Sequence, residues 1–191
     1  MAVSARILLV SGSTRVGSTN TAVLRTAQAV APPGVTTIRY AGLADLPAFN
    51  PDDEQEALPP VAADLRQQIA AADAVLFCTP EYAGTLPGSF KNLLDWTVGG
   101  GEIYGKPVAW INAAAIGRGG GATAALELVL GYVGADIIKP ACVQLPVRAE
   151  LVGTDGVISD QTVRDQLADV WSAILLKLGT DPTTQGNVKF A

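Results

Sequence analysis

Apolar residues gather along this chain in short unbroken runs: Arg6 to Ser11, Val35 to Tyr40, Ala74 to Thr79, Pro107 to Ala113 and roughly Asp136 to Leu145. Runs of this length without alternation predict strands covered on both faces, as in a parallel sheet. Between them, apolar positions recur at helical spacing over Ser18 to Val30, Val61 to Ala72, Pro87 to Trp96 and Thr123 to Tyr132, and an amphipathic segment from Asp160 to Leu178 closes the series. Strands alternating with helices predict one α/β domain over residues 1–191, doubly wound around a parallel sheet. Five strands suggest the order 2-1-3-4-5, a three-layer sandwich that binds ligands beyond the carboxyl ends of its strands, where the first and third meet. The loops after the first, third and fourth strands then carry the chemistry. Asn50 to Glu56 is acidic and predicts a solvated connection, and Gly179 to Ala191 predicts an irregular tail.

The first of those loops, Ser11-Gly12-Ser13-Thr14-Arg15-Val16-Gly17-Ser18-Thr19-Asn20, joins a strand directly to a helix. Opening NH groups of a helix lack intrahelical partners and lie at the positive end of its dipole, so an anion is stabilised there. Ser13, Ser18, Thr19 and Asn20 add side-chain donors, and Arg15 adds a full positive charge. Gly12 and Gly17 have P-loop spacing, but Ser18 stands where that motif places its lysine, which argues against nucleoside triphosphate hydrolysis. Gly12-Ser13-Thr14 also lacks the second glycine with which a dinucleotide fold approaches a pyrophosphate. A monophosphate held by hydroxyls fits this loop; a plain turn and helix cap is the simpler alternative.

Composition narrows the chemistry further. Among 191 residues, 49% are hydrophobic and 16% charged, enough apolar material for a substantial core. A net charge of −5 with no basic run speaks against a nucleic-acid partner. The complete lack of histidine removes Ser-His-Asp and Cys-His mechanisms together with His-ligated zinc and haem, and no metal site is expected. Cys78 and Cys142 lie in apolar runs without CxxC spacing and are expected to be small buried hydrophobes. The N-terminus lacks a signal-peptide pattern and the apolar runs fall short of a bilayer span, so a cytoplasmic location away from membranes is the expectation.

The third strand leads into Thr79-Pro80-Glu81-Tyr82-Ala83-Gly84 and then Pro87-Gly88-Ser89-Phe90-Lys91-Asn92-Leu93-Leu94-Asp95-Trp96. Together with Gly-Ser-x-Arg-x-x-Ser-x-Asn at Gly12 to Asn20, this resembles the NADPH-dependent FMN reductase family, whose fold is flavodoxin-like. The resemblance implies that Ser13, Arg15, Ser18 and Asn20 hold the FMN phosphate, with Thr19 contributing its backbone. It implies that Pro80, Glu81, Tyr82, Ala83 and Gly84 wrap the ribityl chain and ring, largely through main-chain groups. It further implies that Gly117, Gly120 and Gly121, after the fourth strand, lie against the flavin and leave room for a nicotinamide. The expected cofactors are FMN and NADPH or NADH, with hydride transfer to the flavin and then to a flavin, quinone or similar small-molecule electron acceptor in ping-pong fashion. The flavin carries that chemistry, so no protein acid or base is assigned. A homodimer or homotetramer is implied, with the Pro87 to Trp96 helix at a subunit interface. This chain departs from the family's common Pro-Glu-Tyr-Asn at Ala83.

The loop after the fourth strand, Ala114 to Ala122, contains Gly117-x-Gly119-x-x-Ala122, a relaxed dinucleotide fingerprint in the wrong place, since Asp136 starts its strand instead of ending it. Arg118 in that loop either meets a pyridine-nucleotide phosphate or is an exposed arginine without a partner. Two other classes remain open at this point: a flavodoxin-type FMN electron carrier for protein partners without NAD(P)H turnover, and a binding domain that has lost turnover.

Overall fold

The computed structural model describes residues 4–55 and 58–179. Its strands are β1 (Ala5–Ser11), β2 (Val35–Arg39), β3 (Ala74–Cys78), β4 (Pro107–Asn112), β5 (Asp136–Ile137) and β6 (Val143–Gln144), and its helices are α1 (Thr19–Ala29), α2 (Pro60–Ala70), α3 (Gly88–Asp95), α4 (Gly120–Tyr132) and α5 (Gln161–Lys177). The strands run parallel in the order β2-β1-β3-β4-β5, with β6 also on β4, as the flavodoxin-like reading expects apart from the last strand.

Side chains of a strand alternate between faces, and that alternation sorts the core into two halves. Ile7, Leu9, Leu76, Ala109 and Ile111 pack with α1 and α5 around Trp171, whose indole NH donates to the carbonyl of Ala27 at 2.9 Å. Leu8, Val10, Val75, Phe77, Val108 and Trp110 face α2, α3 and α4. Both faces of the central strands are therefore apolar, which is why they read as continuous runs. β2 is the exception: it lies at the sheet edge and is only half-buried.

The predicted fifth strand does not form whole. β5 ends at Ile137, a 3-10 turn spans Lys139–Ala141, and pairing resumes only at Val143. Pro140 sits in that turn; proline has no NH to give a ladder, so the strand breaks there. Helix α4 starts earlier than expected, at Gly120, and α5 is capped by the Asp160 carboxylate accepting from the Val163 NH at 3.0 Å.

The acidic segment is more than a solvated connection. Pro51–Glu54 forms a 3-10 turn, and Glu54 pairs with Arg66 of α2, which is itself buried and donates through Nε to the Trp96 carbonyl at 2.7 Å. The expected irregular tail lies, from residue 180 on, outside the described residues. No helix among the described residues is long and apolar enough to cross a membrane.

Candidate functional site

Sheet register brings the three loops to one level. Ser11 is paired with Cys78 and Cys78 with Ile111, so β1, β3 and β4 end side by side and their loops leave the same edge. The Gly12 NH donates to the Cys78 carbonyl at 2.9 Å. A side chain at Gly12 would run into Thr79 and Phe90, so only glycine lets the first loop lie this close to the third strand.

In the first loop, Ser18 occupies the N-cap position of α1 but its hydroxyl caps no NH. Among the described residues, the backbone NH groups of Thr19, Asn20 and Thr21 donate no hydrogen bond. Ser18 and Asn20 are both buried polar residues at this helix start. The Asn20 amide is oriented from two sides, its Oδ1 accepting from Cys78 Sγ at 3.3 Å and its Nδ2 reaching Ser18 Oγ at 3.5 Å. Burial pushes the Cys78 thiol well above its usual range and keeps it a neutral donor. Farther out, the Arg15 NH donates to Ser13 Oγ and the Ser13 NH to Ser11 Oγ, each at 3.3 Å, and the Arg15 side chain is exposed with no ion pair among the described residues.

The second loop is a tight hairpin. Tyr82 and Thr85 exchange both backbone hydrogen bonds at 3.0 Å, and the two residues between them, Ala83 and Gly84, have φ of +50° and +77°. Two consecutive positive φ values are the mark of a type I′ turn, for which Asn-Gly is the preferred pair. Ala83 is the one non-glycine residue with positive φ among the described residues. The departure at Ala83 is thus a matter of backbone strain as well as of a missing amide.

Glu81 is committed to the third loop. Its Oε2 accepts from the Ala122 NH at 3.0 Å, in the first turn of α4. Gly121 packs against the Gly84 carbonyl so closely that any side chain there would collide with it. Hairpin and helix α4 are therefore joined by one charge-assisted cap and one close backbone contact.

The third loop is shaped by Asn112, a buried amide that nothing in the sequence pattern singled out. Its Oδ1 accepts from the Ala114 NH and its Nδ2 donates to the Arg118 carbonyl, both at 3.0 Å. Gly119, at φ +78°, lies against that amide where a side chain would not fit. A polar residue closing an otherwise apolar strand at the ligand edge was the available signal.

A cavity of about 260 Å³ lies where these loops meet, lined by Thr19, Asn20, Thr79, Pro80, Glu81, Ala113, Ala114, Arg118 and Gly119. Of the residues carried over from the sequence, Thr19, Asn20, Pro80 and Glu81 reach it. Ser13, Arg15, Ser18, Tyr82, Ala83 and Gly84 belong to the same two loops but line no part of this cavity, and Tyr82 is exposed. Gly117 and Gly120 instead border a separate groove beside α4. Thr79, Ala113 and Ala114 were missed because small residues at strand ends carry no chemical signature.

The neighbouring α3 motif has a structural explanation. Asn92 donates to the Pro47 carbonyl at 2.8 Å and accepts from the Phe49 NH at 2.7 Å, the Trp96 indole donates to the same Pro47 carbonyl at 2.9 Å, and Phe49 meets Trp96 edge to face at 5.1 Å. These side chains fasten the long connection after β2 onto α3. Lys91 and Asp95 pair with each other at 2.7 Å along the helix.

The chain is similar to known proteins over most of its length. Residues 5–148 match the family described as NADPH-dependent FMN reductase. An NAD(P)H-dependent FMN reductase of Pseudomonas aeruginosa is 42% identical over 125 residues, 64% of this chain and 66% of that relative. A quinone reductase of Escherichia coli K12 is 32% identical over 168 residues, 85% of this chain and 89% of the relative. Among solved structures, FerB of Paracoccus denitrificans, a flavoenzyme NAD(P)H:(acceptor) oxidoreductase, superposes with a TM-score of 0.76 at 28% identity, covering 93% of this chain and 98% of its own. With all three ligand-edge loops inside the matched region, this chain belongs to the NADPH-dependent FMN reductase family.

Proposed function

We propose that this chain is an FMN-dependent NAD(P)H oxidoreductase acting on a flavin, quinone or similar small acceptor. The observation that carries the reading is the start of α1: of its three unpartnered NH groups, two belong to Thr19 and Asn20, which line a cavity that the β3 and β4 loops close. Those donors fit a phosphate ester, and the β3 and β4 loops beside the cavity offer a place for the rest of the flavin.

When bound, FMN supplies the redox chemistry, accepting a hydride from NAD(P)H and returning the electrons to the acceptor. The residues of this chain bind and orient. Ser13, Ser18 and Asn20, with the Thr19 NH, would hold the phosphate, and Arg15, exposed on the same loop, would supply the positive charge. Main-chain groups of Pro80 to Gly84 would border the ribityl chain and ring, with the exposed phenol ring of Tyr82 available to cover its outer side. Glu81 fixes the distance between hairpin and α4 through the Ala122 NH, and so sets the width of the slot. The two substrates use one slot in turn, which predicts ping-pong kinetics.

Reconstitution with FMN followed by anaerobic addition of NADPH or NADH tests the reading. Bleaching of the visible flavin bands, then recovery on adding a quinone, is the expected result. Retention of flavin without bleaching by either nucleotide would point to an electron carrier, and failure to take up flavin would overturn both.

A further inference from the structure

The groove beside α4 is the larger cavity, about 550 Å³ against 260 Å³ for the one at the loops. It exists because the last strand is broken: β4 pairs with β5 only at Pro107 and Val108 and with β6 only at Ile111 and Asn112, leaving Ala109 and Trp110 without a strand partner on that side. Trp110, Thr123, Glu127, Lys139 and Gln144 line it, and Arg118 lines both this groove and the smaller cavity. A volume of this size is that of a small-molecule site.

Charge says what kind of molecule. Two cations border the two cavities. Lys139 is engaged, paired with Glu127 and lying 5.8 Å from the centroid of the Trp110 ring. Arg118 makes no ion pair and no side-chain hydrogen bond among the described residues, in a chain whose net charge is −5. Nucleotide sites distinguish a ribose diol from a ribose phosphate by placing a free carboxylate against the first or an arginine against the second. Here the carboxylate is neutralised by a lysine and the arginine is free.

Building on the reductase reading, we propose that this groove takes the adenosine end of the nicotinamide nucleotide, with Arg118 meeting its 2′-phosphate, so that NADPH is preferred to NADH. A dinucleotide reductant brings only one end to the reacting slot. Its anionic remainder needs a second compartment, and Arg118 stands on the wall between the two. Lys139 serves as a positioning residue that keeps Glu127 from repelling the phosphate.

Calorimetric titration of the FMN-free protein at low ionic strength with 2′,5′-ADP and with 5′-AMP tests this without turnover. The wild type is expected to bind 2′,5′-ADP at least about tenfold more tightly than 5′-AMP, a difference on the order of 1.4 kcal/mol. Arg118→Ala should erase the difference, Arg118→Lys should keep part of it, and Lys139→Ala should weaken 2′,5′-ADP by leaving Glu127 unpaired. Equal binding of the two nucleotides by the wild type, or an unchanged preference in Arg118→Ala, overturns the proposal. Flavin uptake and bleaching are read separately: a bleaching enzyme whose 2′,5′-ADP binding ignores Arg118 refutes the groove alone. A protein that takes no FMN yet shows the Arg118-dependent preference refutes the reductase reading and leaves the nucleotide site standing.

Discussion

Ala83 offers a sharp test of how the hairpin is held. A left-handed conformation crowds the β-carbon of an L-residue against the following carbonyl and costs roughly 1–2 kcal/mol. Ala83 bears that strain at φ +50°, fixed by the two 3.0 Å hydrogen bonds between Tyr82 and Thr85 and by Gly84 at +77°. Asparagine tolerates the region far better and is the favoured first residue of a type I′ turn. Ala83→Asn should therefore stabilise the FMN-free protein by about 1 kcal/mol, a rise in Tm of roughly 2–4 °C for a chain of this size. Ala83→Gly removes the strain but frees the unfolded chain by about 0.4–1 kcal/mol, so its net gain should be smaller than that of asparagine, on the order of 0.5–1 kcal/mol. Ala83→Val, branched at the same carbon, should lower Tm. Thermal unfolding of the three variants without ligand gives the order Asn, Gly, wild type, Val. A Tm for Ala83→Asn at or below the wild-type value would refute the turn assignment. So would a Val variant as stable as the wild type.

Other substitutions probe other joints of the site. Arg15→Ala should weaken FMN retention more than Arg118→Ala, as followed by flavin fluorescence on dilution, because a charge-assisted phosphate contact outweighs an unpaired loop charge. Gly121→Ala forces the Gly84 carbonyl away and should destabilise by about 1–3 kcal/mol in urea unfolding, with the β3 hairpin losing protection from hydrogen exchange. Arg66→Ala leaves Glu54 and Glu102 facing each other at a partly buried site and should cost about 3 kcal/mol in the same unfolding assay, whereas loss of a purely surface pair would cost under about 1 kcal/mol. Burial pushes the Cys142 thiol up to about 11, so its labelling by a thiolate-specific reagent should rise about tenfold per pH unit between pH 7 and 9 in the folded protein, while fully buried Cys78 stays unlabelled until unfolding.

Periodicity alone reached most of this architecture. The central strands β1, β3 and β4 are buried on both faces, so their apolar runs are unbroken, and the doubly wound order follows from alternating strands and helices with a right-handed crossover. Legibility fell at the last strand. The edge strand β2 could still be read, its Val35 and Ile38 packing against opposite halves of the core, but the run from Asp136 to Leu145 hid a turn at Pro140 because apolar content does not report hydrogen-bonding partners.

The loops divide in the same way. That unpartnered NH groups open α1 was readable from Gly12 to Asn20, since the chemistry of a helix start is local. Which side chains bind and which merely hold the scaffold was not. Glu81 spends its carboxylate on Ala122, Asn92 and Trp96 fasten Pro47, and Asn112 organises a loop in which it does not itself lie. Each of these bonds spans from six to tens of residues in the chain, and no local pattern encodes a partner that distant. Residue type and spacing determined the strands, the helices and the unpartnered NH groups that open α1. Only the tertiary structure decided that Ala83 is strained, that the last strand opens a groove and that Arg118 stands between two cavities, because strain, gaps and unpaired charge are properties of what surrounds a residue, set by packing between segments far apart in sequence.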